Sequence, residues 1–208
     1  MDELVVVKIG GSLCRQDGGQ GLRRLGTVIG QLARERPLAI VPGGGPFADT
    51  VREYGPRLGL DDATCHFMAL LAMDQFAHTL RQLIPTSSLI ELSGPESRRS
   101  ILPGAPAILL SSRYISLVEP AILPQSWAVT ADSIAAYLAG LLAASSLILL
   151  KSVDVGPELK EPDVDACFRR AIPPQLPVWI INGLHPERLA ELMATGHTRG
   201  TYLPPRQR

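Results

Sequence analysis

Five short segments of this chain carry apolar residues at every position: 4–7, 38–41, 107–110, 147–150 and 178–181. Leu4-Val5-Val6-Val7 has no polar alternation, so it reads as a strand covered on both faces, and the others repeat the pattern. The segments between them change to helical spacing. Residues 22–35 set Leu22, Leu25, Val28, Ile29 and Leu32 on one face. Residues 47–54 resume that periodicity. A long helix opens at Asp61 or Asp62, runs to residue 83 and stops at Pro85. Thr130 or Asp132 opens an alanine-rich helix to residue 142. Residues 163–170 form a short helix and 186–194 another. Residues 88–92 and 201–203 complete the strands; 94–106 reads as loop with room for one helical turn, and 152–162 as loop. This alternation predicts an α/β fold with a mostly parallel sheet.

The 208 residues hold no internal repeat and no linker long enough to separate domains, so one domain over 1–208 is expected. With 46% apolar residues and equal counts of basic and acidic side chains, 20 each, the chain has material for a core. It carries no net positive field to attract nucleic acid or a membrane surface. The longest apolar stretch, 134–150, is broken by Gly140, Ser145 and Ser146 and reads as a helix followed by a strand, not a membrane span. Cys14, Cys65 and Cys167 fit neither a disulfide framework nor a zinc pattern. Reduced thiols and a start without a signal-peptide pattern predict a cytoplasmic protein.

In a parallel sheet, ligands gather at the carboxyl ends of the strands. There the sequence places Lys8-Ile9-Gly10-Gly11-Ser12, Gly43-Gly44-Gly45, Lys151 with Ser152 and Asp154, and Asn182-Gly183. Gly10 and Gly11 let backbone N–H groups approach an anion, and Lys8 adds a point charge for phosphate. The bland alternative is a tight turn beside a surface lysine. Gly43, Gly44 and Gly45 precede a helix and form a second candidate anion nest. Two such loops could hold a phosphoryl donor and an acceptor face to face. Only three of the 20 basic residues are lysines, Lys8, Lys151 and Lys160, and Lys151 ends an apolar strand facing the expected cleft. Asp132 either caps its helix or orients the lysine ammonium groups. Ser152 and Asp154 are placed to contact a nucleotide or a metal-bound water. His66 reads as core or cleft wall, and no HExxH spacing, GxSxG elbow or GxGxxG loop occurs.

These segments together resemble the amino acid kinase family, which includes acetylglutamate, carbamate and uridylate kinases. The resemblance runs in order through Val5-Val6-Val7-Lys8-Ile9-Gly10-Gly11-Ser12, Val41-Pro42-Gly43-Gly44-Gly45-Pro46, Thr130-Ala131-Asp132-Ser133, Leu149-Leu150-Lys151-Ser152 and Arg199-Gly200-Thr201. It implies an open three-layer α/β/α sandwich with an acceptor-side lobe over 1–125 and a nucleotide-side lobe over 126–208. It also implies transfer of the γ-phosphoryl of ATP, with Mg²⁺ on the phosphates. Lys8 and the N–H groups of Gly10, Gly11 and Gly44 would stabilise the transferring charge, and Asp132 would organise the lysines. An anionic small-molecule acceptor is already ionised, so no strong general base is needed. It would lie between Gly43–Gly45 and the helix of His66, with Arg52 as a helper, and a homo-oligomer is expected.

Two departures stand out. The family's Thr-Asp-Val becomes Lys151-Ser152-Val153, and its later Gly-Gly-Met-x-x-Lys is absent, leaving Lys151 or Lys160 as the second phosphate lysine. The short chain, the segment around His66 and Met73-Asp74-Gln75, and Asn182-Gly183-Leu184-His185 resemble the aminomethylfuran phosphate kinase branch of methanofuran-type cofactor biosynthesis. That branch makes a diphosphate from a phosphomonoester. The rival expectation is a non-catalytic nucleotide- or anion-binding regulatory protein on the same fold.

Overall fold

The computed structural model describes residues 3–15, 17–84, 86–154 and 164–206. Strands β1 (Val5–Ile9), β2 (Leu38–Pro42), β3 (Ser88–Glu91), β4 (Ala107–Leu110), β5 (Ser146–Lys151), β6 (Val178–Asn182) and β7 (Thr201–Leu203) form one sheet in the order β3-β4-β2-β1-β5-β6-β7. Only β7 runs antiparallel to its neighbour. The helices are α1 (Gln20–Leu32), α2 (Gly45–Arg57), α3 (Asp62–Leu83), α4 (Ser112–Ile115), α5 (Ala131–Leu141), α6 (Phe168–Ala171) and α7 (Pro186–Thr195). The apolar stretch around residue 140 divides into α5 and β5, and among the described residues no helix is long and apolar enough to cross a membrane.

The apolar runs are central strands for the reason their composition suggests: each has helices on both sides. Strand alternation sends Val5, Val7 and Ile9 to one face, with Leu25 and Ile29 of α1, Phe76 and Leu80 of α3, and Leu189 of α7. Leu4 and Val6 go to the other face, with Ala135, Ala136, Leu138 and Ala139 of α5. These three alanines are fully buried. Their small side chains let α5 lie close over the sheet, so its first turn comes down beside the strand ends.

Several boundaries differ from the sequence reading. β1 continues through Lys8 and Ile9, because both stay in ladder register with Val41 and Pro42 on one side and Leu149 and Leu150 on the other. Lys8 is therefore a strand residue rather than part of the turn. α2 begins at Gly45, two residues before the expected Phe47. Asp61 is the cap of α3, accepting from the Thr64 N–H at 2.7 Å. Thr130 is the cap of α5, accepting from the Asp132 N–H at 3.3 Å. Residues 11–15, 17–19 and 95–100 form 3₁₀ turns, and α4 occupies a stretch with no expected element. The short helix expected over 163–170 is α6, over 168–171; Asp163 lies outside the described residues.

Candidate active site

Lys8 shares the strand parity of Val6, and Lys151 that of Leu147 and Leu149, so both lysines project to the α5 face. β1 and β5 are neighbours, and Lys8 pairs with Leu149, two residues short of Lys151. Both ammonium groups therefore arrive at one place. Asp132, in the first turn of α5, meets them there. Lys8 Nζ lies 2.9 Å from Asp132 Oδ1, and Lys151 Nζ donates to Oδ2 at 2.6 Å. Asp132 is 3% exposed and Lys8 7%. Burial alone would raise the Asp132 pKa, but the Lys8 and Lys151 charges outweigh it and hold the carboxyl below its ordinary range. Two cations against one anion leave an excess positive charge at the floor of the cleft, suited to phosphate oxygens.

The two glycine loops touch main chain to main chain. A Cβ on Gly11 would stand 2.1 Å from the Gly45 nitrogen, and one on Gly43 would stand 2.6 Å from the Gly11 nitrogen. Side chains at these positions would push the loops apart. Gly45 also has φ +55°, a left-handed conformation that favours glycine. Gly10 donates its N–H to the Leu150 carbonyl at 2.9 Å, fixing the first loop to β5. Ser12 Oγ donates to Ser152 Oγ at 2.9 Å, tying that loop to the segment after β5.

Between the loops, α3 and the start of α5 lies a cleft of about 280 Å³. Lys8, Gly11, Ser12, Gly43, Gly44, Gly45, His66, Asp132 and Lys151 line it. The fold thus gathers nine of the twelve expected site residues around one space. Gly10, Ser152 and Asp154 stand outside this lining. Asp154 is engaged elsewhere: it takes an ion pair from the buried Arg188 of α7, with Arg199 at 3.7 Å. The Arg188 hydrogen bond, aided by the charges of both arginines, holds its carboxyl below the usual range. Lys160 lies outside the described residues.

His66 is buried on α3, where desolvation pushes its pKa down against a hydrogen bond with the Ser126 main chain. Burial thus favours the uncharged form of the ring that lines the cleft. The sequence reading passed over Arg15, Asp49 and Trp127. Arg15 and Arg52 both pair with Asp49, and the Arg52 guanidinium stands 4.6 Å over the Trp127 ring. The spacing of Asp49 and Arg52, three apart on a helix, was the available local signal.

The sequence model of the amino acid kinase family matches residues 3–155. The chain belongs to the amino acid kinase family. The kinase is 28% identical over 210 residues to the [5-(aminomethyl)furan-3-yl]methyl phosphate kinase of Methanocaldococcus jannaschii, covering 92% of this chain and 94% of that protein. It is 29% identical to the uridylate kinase of Methanothrix thermoacetophila over 78% of this chain and 67% of the relative. Solved structures share the fold of this kinase at lower identity. The uridylate kinase of Archaeoglobus fulgidus superposes with TM-score 0.69 at 19% identity, covering 97% of this chain and 99% of that one. The UMP kinase of Ureaplasma parvum gives 0.73 at 14%, covering 98% and 100%. The kinase is accordingly a phosphotransferase on an open α/β/α sandwich. The rival expectation, a non-catalytic anion-binding protein, is not favoured beside these relatives.

Proposed function

We propose that this kinase transfers the γ-phosphoryl group of ATP to the phosphate of a small phosphomonoester, an aminomethylfuran phosphate, to give a diphosphate. One observation carries the reading: two lysines from neighbouring strands converge on a single buried aspartate beneath two touching glycine loops. That arrangement suits a reaction whose demands are positioning and charge stabilisation rather than covalent chemistry. An ionised acceptor oxygen attacks phosphorus, the bond to the bridging oxygen of ATP breaks, and ADP leaves. Lys8 and Lys151 counter the charge on the transferring group, and Asp132 keeps their ammonium groups from drifting apart. N–H groups of Gly11 and Gly44 add donors, whereas the Gly10 N–H expected to join them is committed to the Leu150 carbonyl. His66 is not required as a base.

The acceptor end supports a compact, flat phosphomonoester. Arg15 and Arg52 offer guanidinium groups to a phosphate, Trp127 offers a ring face, and about 280 Å³ is at the small end of ligand sites. The relative that matches along 92% of this chain is named for such a substrate. Ser152 and Asp154 fall on the nucleotide side of this reading. Mg²⁺, when bound, would neutralise phosphate charge. Among the described residues no three His, Cys, Asp or Glu side chains converge to hold an ion. Phosphate oxygens and water would supply most of its ligands, as is usual for Mg²⁺ on a nucleotide. Three free thiols suit the cytoplasm. The exposed Phe67, Met68 and Leu71 on α3 suit self-association, and neither nucleic acid nor membrane is a partner in this reading.

The test is a transfer assay with Mg²⁺, ATP and a panel of acceptors: aminomethylfuran phosphate, isopentenyl phosphate, uridylate, acetylglutamate and carbamate. Products are read by mass spectrometry. A diphosphate formed from the furan phosphate is the expected result. Transfer only to another acceptor overturns the substrate assignment, and ATP binding without any transfer favours the non-catalytic reading.

A further inference from the structure

Asp132 sits where a helix start ordinarily engages an acidic side chain. The first N–H groups of a helix lack intrahelical partners, and a first-turn carboxylate is the usual acceptor. On α5 the Thr130 hydroxyl accepts from the Asp132 N–H, and a further part of that demand is met from elsewhere. Asp165, far along the chain, receives five hydrogen bonds from the described residues. Its Oδ2 accepts from the Thr130 N–H at 3.0 Å, the Thr130 hydroxyl at 2.7 Å and the Ser133 N–H at 3.1 Å. Its Oδ1 accepts from the Ser133 hydroxyl, and from the Cys167 N–H at 3.0 Å. Ser133 is completely buried and next to Asp132 in the chain. One carboxylate thus clamps the residues on both sides of Asp132 at positions 130 and 133.

We propose that Asp165 is a positioning residue for phosphoryl transfer. It supplies the negative charge that the start of α5 calls for, which leaves the Asp132 carboxylate free to face Lys8 and Lys151. The two acidic residues divide two tasks that one side chain cannot perform together: capping a helix and holding two lysines. Asp165 also sets the depth and rotation of the first turn of α5, since its bonds fix both the cap residue and the third helical residue. A shift of α5 by about 1 Å would move Asp132 away from ammonium groups that it now meets at 2.6 and 2.9 Å. The proposal rests on the kinase reading above, in which those lysines counter phosphoryl charge.

The test is a double-mutant cycle, done on full-length protein well below its melting temperature. Asp165→Ala is expected to lower kcat by about a hundredfold, the scale of a small misplacement of catalytic groups, with KM for either substrate within about threefold. Asp165→Asn keeps one acceptor oxygen but turns a donor toward the Cys167 N–H, and it should fall between Ala and wild type. In an Asp132→Asn background, Asp165→Ala should produce no further loss, because it acts through Asp132. Unchanged kcat in Asp165→Ala overturns the proposal, as does a loss that adds in full to that of Asp132→Asn. If Asp165→Ala does not fold, Ser133→Ala, which removes one of the five bonds, replaces it in the cycle with the same criteria.

A readout independent of turnover separates this proposal from the substrate reading. With three lysines in the chain, amine labelling followed by mass spectrometry reports each one separately. Asp165→Ala should raise labelling of Lys8 and Lys151 several-fold in folded protein, and Asp165→Asn less. Unchanged labelling overturns the proposal, even if wild type transfers phosphate. Raised labelling supports it even if no acceptor in the panel is phosphorylated.

Discussion

Lys8, Asp132 and Lys151 depend on one another. A buried carboxylate alone would be costly, and so would two neighbouring ammonium groups; together each offsets the desolvation of the others. Asp132→Ala should therefore destabilise the fold by about 3 kcal/mol, read by urea unfolding, because it leaves two cations facing each other. An unchanged midpoint would mean that the lysines relax into solvent without their aspartate. His66 gives a second prediction at this scale. Its pKa is lowered in the folded state by burial, so the unfolded chain binds a proton more readily. Stability is then complete above the ordinary histidine value and is lost as pH falls below it toward the lowered value. Melting temperature should drop more between pH 7.5 and 5.5 in wild type than in His66→Gln. Equal slopes would remove His66 from the pH response.

At the scale of elements, the geometry follows from strand parity and from how closely pieces approach. Lys8 and Lys151 meet because β1 and β5 are parallel neighbours and both residues point to the α5 side. The glycine loops meet because neither carries a side chain where Gly11 faces Gly45. Gly11→Ala places a methyl group against backbone that has no flexible end to move. It should cost about 1–3 kcal/mol, the range for overpacking, and lower transfer by parting the loops. Calorimetry with an activity assay checks this, and an Ala variant of full stability and activity would show that the loops can separate freely. The sequence reading gave the order of strands and helices along the chain because apolar period and punctuation are local signals. α4 and the 3₁₀ turns at 11–15 and 17–19 escaped it because their few residues have no periodicity to detect.

For the whole molecule, the sheet brings the ends of β1, β2 and β5 and the start of α5 to one cleft, so ligands should stabilise the fold as a unit. ATP at about a hundred times its dissociation constant should add about 2.7 kcal/mol, a rise of about 5–10 °C for a chain of this size. Differential scanning fluorimetry reads this directly. No shift at saturating nucleotide would count against a nucleotide site. The balanced charge, 20 basic against 20 acidic residues, supplies no long-range attraction for anions. The positive potential needed for phosphate must therefore come from the local excess at Lys8 and Lys151.

By itself the sequence determined the α/β class, the succession of elements, and nine of the residues that line the cleft. Those features are written in short-range patterns: apolar runs, glycine pairs, and lysines rare enough for each position to carry meaning. Tertiary structure decided which groups face one another. The pairing of two lysines with one aspartate, the contact of Gly11 with Gly45, and the engagement of Asp154 by Arg188 join positions far apart in the chain. Asp165 is the clearest case. Nothing around it marks it as special, and its role exists only because the fold sets it against the start of α5, where unpaired N–H groups need an acceptor.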